Sequence, residues 1–185
     1  MSAAWPTGWK NKMAKKRTGD MTFSDKSCID LSLERLEFFF DTFDQHAIAF
    51  SGGKDSTACL NLALQVARDK KKLPLRVYTF DEEAIPPETV EYMERISQND
   101  ELDFTWLCVP IEHRNACSRT QPYWYPWAEE DRNLWVRPLP QKAVTDLPGF
   151  RRQPAEAAME KLFSPKNGTL CNIMGIRCQE SMTRQ

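Results

Sequence analysis

The chain has no Cys-x-x-Cys pair. Its six cysteines, at 28, 59, 108, 117, 171 and 178, are scattered along it. That spacing excludes a structural zinc site and a cysteine-stapled scaffold. No apolar signal core follows Met1, so the thiols are expected to be reduced in the cytoplasm. Charge imbalance is also missing: 25 basic against 26 acidic residues leave a net charge of −1. This excludes a globally basic nucleic-acid binder and an acidic solvating tail. Apolar runs stop at three to four residues, as at 38–40 and 47–50, so no segment can span a bilayer and no membrane association is expected. No internal repeat or low-complexity tract is present. What remains is 185 residues, 41% of them apolar, enough for one domain with a real core, or one domain plus an arm.

The first 27 residues hold six basic side chains, from Lys10 to Lys26, against Asp20 and Asp25. With Trp5 and Trp9 they read as a basic arm, lying over the body, reaching a protein or nucleic-acid partner, or ending in solvated charges. From 28 onward, helix and strand alternate. Ile29, Leu33, Leu36, Phe40 and Phe43 have helical spacing, with Ser27 or Asp30 as cap. His46 to Phe50 reads as a buried strand, and Ser56 to about Lys70 as a helix apolar on most sides. Leu75 to Phe80 predicts a second strand. Pro86 and Pro87 then open a helix carrying Val90, Met93 and Ile96 inward. Phe104 to Val109 predicts a third strand. This order argues for an α/β fold: a mostly parallel sheet with helices on both faces.

Residues 111–153 have little periodicity and are rich in Trp, Pro and Arg. So long a segment is expected to be an ordered insertion over the sheet's functional edge, or an interface. A further helix follows Pro154, marked by Ala155, Ala158, Met159 and Leu162.

The strongest chemistry is at the first strand–helix junction, Phe50-Ser51-Gly52-Gly53-Lys54-Asp55-Ser56-Thr57. Glycines let the backbone approach a ligand closely, and amides at a helix start bind an anion. Ser51 and Ser56 add hydroxyl donors and Lys54 a full charge. A carboxylate would be repelled by such an anion, so Asp55 is assigned to Mg²⁺ or to capping. The loop is not a Walker A motif, which needs GxxxxGK[ST]. A second cluster, Phe80-Asp81-Glu82-Glu83, ends the second strand. Asp81 and Glu82 sit where open α/β sheets bind ligands, and could hold Mg²⁺ or a ribose hydroxyl. Glu82 and Glu83 read equally as a solvated loop.

SGGKDS after an apolar strand resembles the pyrophosphate loop of the adenine-nucleotide alpha-hydrolase superfamily. Asp81-Glu82 with Pro87-Glu88-Thr89, and Gly175-Ile176-Arg177 through Ser181 to Arg184, are similar to motifs of its phosphoadenosine phosphosulfate (PAPS) reductase-like members. Arg114-Asn115-Ala116 with Trp124, Trp127 and Trp135-Val136-Arg137 looks like the immunoglobulin-binding-regulator subgroup of phages and bacteria. The resemblance implies about five strands, an adenine nucleotide with Mg²⁺ in the cleft, a ParB-like partner, a role in transcription regulation, and an oligomer or hetero-complex. It implies a ligand-facing role for Phe50 to Thr57, Phe80 to Glu82, Gly175, Arg177 and Ser181. If residues 178–184 are helical, Arg177, Ser181 and Arg184 share one face, suited to sulfate or phosphate.

The departures decide the chemistry. The C-terminal Glu-Cys-Gly-[Ile/Leu]-His tail of PAPS reductases is not seen here, and no cysteine has that context. Cys59 and Cys108 read as core thiols, while Cys178 lies among motif residues. An intact loop suits a triphosphate, so ATP cleaved between the α and β phosphates is favoured, with Lys54, Asp55, Arg177 and Arg184 as catalytic candidates. A nucleotide-sensing regulator without chemistry, and a PAPS reductase with a thiol from outside, are the alternatives. His113, a lone loop histidine, is a weak signal for a base.

Overall fold

A computed structural model describes residues 24–163 and 168–176 of the chain. The basic arm, but for its last residues, and the stretch from Arg177 to Arg184 lie outside them, as does Cys178.

Helix α1 (Cys28–Thr42) starts on a capping box: the Ser27 hydroxyl accepts from the Asp30 amide at 3.1 Å, and the Asp30 carboxylate accepts from the Ser27 amide at 3.3 Å. Its packed face begins at Leu33 and runs through Leu36 and Phe40. Ile29, one turn earlier, is 59% exposed, so the expected stripe is a turn too long. Strand β1 (Gln45–Ala49) leads into α2 (Lys54–Asp69). Leu60, Ala63, Leu64 and Ala67 bury one face of α2, while Asn61, Gln65 and Arg68 meet solvent. The helix is therefore amphipathic rather than buried on most sides. Strand β2 (Leu75–Phe80), α3 (Pro87–Ser97) and β3 (Leu102–Leu107) continue the alternation, with Pro87 at the start of α3.

The next segment is stitched to the sheet. It holds a short hairpin, β4 (His113–Arg114) with β5 (Tyr123–Trp124), a 3₁₀ turn (Glu129–Leu134), and the edge strand β6 (Ala143–Val144). Helix α4 (Ala155–Phe163) and strand β7 (Leu170–Ile173) close the fold.

The main sheet has five strands in the order β6-β3-β2-β1-β7, and every pair is parallel. Alternation along the strands splits the core in two. Ile48, Leu75, Val77, Leu102, Trp106, Cys171 and Ile173 pack under α1, α2 and α3. Ala47 and Tyr78 face the other way, against Phe163 and Met159 of α4. Helices thus cover both faces, as parallel sheets require. From β1 the chain steps outward through β2, β3 and β6, then returns to lay β7 on the far side of β1. The strand order therefore reverses between β1 and β7, and such a switch opens a crevice at the carboxyl ends of the strands.

Candidate functional site

Ser51, Gly52 and Gly53 join β1 to α2 at that crevice. Gly52 has φ +72°, and a Cβ there would stand 2.8 Å from Thr89 Cγ2 and 3.1 Å from Met93 Cγ of α3. Both the backbone conformation and the close approach of α3 demand glycine. Gly53 is the N-cap of α2 and provides no side-chain cap. The leading amides of the helix are orphaned by geometry, and their dipole favours an anion. Ser56, only 7% exposed, ties the loop from within. Its Oγ donates to the Gly53 carbonyl at 3.0 Å, accepts from the Ser51 amide at 3.3 Å, and lies 3.1 Å from Ser51 Oγ. Lys54 extends into solvent, 83% exposed, with Nζ 2.7 Å from Asp55 Oδ1. Thr57 supports rather than faces the loop: its Oγ1 accepts from Tyr92 of α3 at 3.3 Å.

Beside the loop lies a cleft of about 680 Å³, the size of pocket that takes a small molecule or cofactor. Phe50, Ser51 and Ser56 line its β1 side, and Phe80 with Glu82 the end of β2. Asn172, Gly175 and Ile176 line the β7 side, and Glu156, Met159 and Glu160 of α4 form a wall. The hollow exists because β1 carries alanine on this face. Ala47 is paired with Asn172, and Ala49 with Tyr78. The Tyr78 hydroxyl donates to Asn172 Oδ1 at 3.0 Å across β1. Burial pushes the Tyr78 phenol above its usual range, so it stays a neutral donor.

Gly175 brings the far end of the sequence to the loop. A Cβ on it would meet Asp55 O at 2.9 Å and the Ser56 amide nitrogen at 3.2 Å. The first and last motifs are thus in backbone contact. Arg177, Ser181 and Arg184 follow directly but lie outside the described residues.

The second-strand cluster divides. Glu82 lines the cleft. Asp81 does not: its side chain is fully buried and paired to Arg137 Nη2, which lies 2.5 Å from both carboxylate oxygens. Trp106 Nε1 donates to Asp81 Oδ2 at 2.7 Å, Trp127 Nε1 to Oδ1 at 3.2 Å, and the Glu83 amide to Oδ1 at 2.7 Å. Those donors leave Asp81 no geometry for Mg²⁺ or a ribose hydroxyl. It anchors the insertion to β2 instead. Glu83 is no solvated loop residue either: its carboxylate accepts from the amides of Trp127 at 3.0 Å and Val136 at 2.9 Å. Asp55 stands at the loop, partly exposed, and one carboxylate plus ligand phosphates is how Mg²⁺ is usually held. Among the described residues no cluster of three or more His, Cys, Asp or Glu could hold a metal by itself.

The described thiols lie away from the cleft lining. Burial, then the Asp81 charge, pushes Cys108 far up. Burial raises Cys171 to about 11 and also raises Cys59. Such thiols are not nucleophiles near neutral pH. His113 stacks on Trp124 at 4.6 Å in the hairpin and does not line the cleft. Sequence reasoning missed Asn172, the α4 carboxylates and the two alanines. The alanine alternation in the first strand was the one signal that could have pointed to the hollow.

Among the described residues no helix is long and apolar enough to cross a membrane. Residues 45–185 match the phosphoadenosine phosphosulfate reductase domain. The chain is also similar to Uncharacterized protein YbdN of Escherichia coli (strain K12), at 31% identity over 166 residues. That similarity takes in 84% of this chain and 40% of YbdN, so the chain spans about two fifths of that relative's length. It speaks for the family and is silent on the immunoglobulin-binding-regulator subgroup. The glycine loop at the strand-order reversal and the domain match over most of the chain agree: the chain belongs to the phosphoadenosine phosphosulfate reductase domain family, with a nucleotide-binding pyrophosphate loop.

Proposed function

We propose that the protein binds ATP with Mg²⁺ in the β1–β7 cleft and cleaves it between the α and β phosphates to adenylylate an acceptor. The observation that carries this reading is the contact of Gly175, the first residue of the Gly-Ile-Arg stretch, with the first turn of α2 behind an intact SGGKDS loop. The orphaned amides of α2, with Ser51 and Lys54, hold the β and γ phosphates. An oxyanion of the acceptor, positioned by Arg177 and Arg184, attacks the α phosphorus. The bond from that phosphorus to the bridging oxygen breaks, and pyrophosphate leaves with the electron pair into the loop. Mg²⁺, held by Asp55 and the phosphates, supplies charge neutralisation when bound. The protein's own part is positioning and electrostatic stabilisation, so no thiol or histidine base is needed.

The test is incubation of the chain with α-labelled ATP and Mg²⁺, following AMP and pyrophosphate, beside Lys54→Ala. Pyrophosphate release lost in the variant supports cleavage. Saturable ATP binding without release sinks it and favours a nucleotide-gated regulator. One observation favours that second reading: Tyr123, Trp124, Leu134 and Val136 of the insertion are 48%, 38%, 69% and 67% exposed. A surface of that kind suits a protein partner.

A further inference from the structure

Three carboxylates stand in the cleft. Glu156 and Glu160 are four residues apart, on one face of α4, and both line it. Glu82 lines it from the end of β2. All three are exposed, and among the described residues none is in an ion pair. The positive potential at the start of α4 offsets Glu156, which lies in the first turn, more than Glu160, one turn on. The cleft thus has two unlike regions. One is the anion-binding loop with its orphaned amides. The other is a wall that can only accept hydrogen bonds or repel negative charge.

A nucleotide has a matching division. Its 5′ phosphates need donors and positive potential. Its ribose hydroxyls are donors that a carboxylate accepts well, and an acidic residue beside a ribose discriminates against a phosphate on that sugar. We infer that Glu156 and Glu160 read the ribose, admitting a nucleotide with free 2′ and 3′ hydroxyls and excluding one that carries a 3′ phosphate. The inference rests on the reading of the cleft as a nucleotide site and deepens it. The match to a phosphoadenosine phosphosulfate reductase domain concerns the fold and the loop, and the α4 wall turns the site away from 3′-phosphorylated ligands.

A 3′ phosphate brings nearly two negative charges near two carboxylates. In a solvent-exposed cleft, the summed repulsion weakens binding on the order of tenfold or more. The test measures binding of 5′-AMP and of adenosine 3′,5′-bisphosphate to the full chain by calorimetry, for the wild type and for E156Q/E160Q. The inference expects the bisphosphate to bind the wild type at least about tenfold more weakly than AMP, and the gap to shrink below about threefold in the variant. Equal or tighter bisphosphate binding to the wild type overturns it. So does a gap that the double variant leaves unchanged. If the double variant melts early, E160Q alone is read in the same way. If neither nucleotide nor ATP binds the wild type, the nucleotide reading itself falls, and the inference with it. If ATP binds with no preference between the two monitors, only the ribose-reading wall is wrong.

Discussion

Replacing Arg137 by methionine should unfasten the insertion from the sheet. The Asp81 side chain has no exposure, and that of Arg137 only 15%. With the guanidinium gone, the carboxylate keeps two indole donors and one amide but no counter-charge. Removing one partner of a buried pair costs about 3–5 kcal/mol, because the other charge stays buried and uncompensated. Arg137 also donates from Nε to the Glu83 carbonyl at 2.9 Å and lies 4.9 Å from the Trp127 ring, which places the loss at the upper end. For a domain of this size, that lowers the melting temperature by about 6–20 °C. The assay is a urea melt of the wild type, R137M and D81N/R137M, with limited proteolysis across 112–140. R137M should be the least stable, and its insertion should be cut first. The double variant removes both charges and should recover part of the loss. Destabilisation of R137M below about 1 kcal/mol, or a double variant no better than the single one, would refute the claim that the buried pair holds the insertion.

Gly175→Ala drives a Cβ to 2.9 Å from the Asp55 carbonyl, a backbone atom that cannot swing aside. It should cost about 1–3 kcal/mol and weaken ATP binding together with stability; a calorimetric titration showing wild-type affinity would remove Gly175 from the site. The His46 pKa is lowered by burial, against the opposing pull of its Nε2 hydrogen bond to the Phe39 carbonyl at 3.0 Å. The unfolded chain takes up that proton first, so stability is full above the ordinary histidine value of 6.5 and falls as pH drops below it toward the folded value. His46→Phe keeps the ring against Phe40, and denaturant midpoints measured from about pH 5 to 7 should lose that slope.

The alternation from β1 to β3 is written in local signals. Short apolar runs, a proline pair and two glycines each act within a few residues, so those elements and the loop can be read from the chain. The edge strands could not be. Ala143–Val144 has two residues and Leu170–Ile173 four, too few for periodicity, and only pairing with β3 and β1 makes them strands. Asp81 failed for a related reason. A carboxylate at a strand end looks like a ligand, and its true partner, Arg137, is 56 residues away. Ile29 shows a third limit: helical spacing says which side is apolar but not where the neighbouring surface stops. The α4 carboxylates stayed silent because glutamates on a helix look like ordinary solvated surface until the fold turns them into a cleft.

The pairing of β1 with β7 joins Gln45 to Leu170, across almost the whole described chain. β1, β2 and β3 can assemble in order as they are synthesised, whereas the cleft needs a contact of very high sequence separation. During translation, the loop and α2 therefore emerge long before the strand that completes their binding wall. A chain interrupted before residue 170 can bury much of its core and still have no site. On the function proposed above, nucleotide binding reports that synthesis has passed that point, and bound nucleotide stabilises only the fold that includes β7.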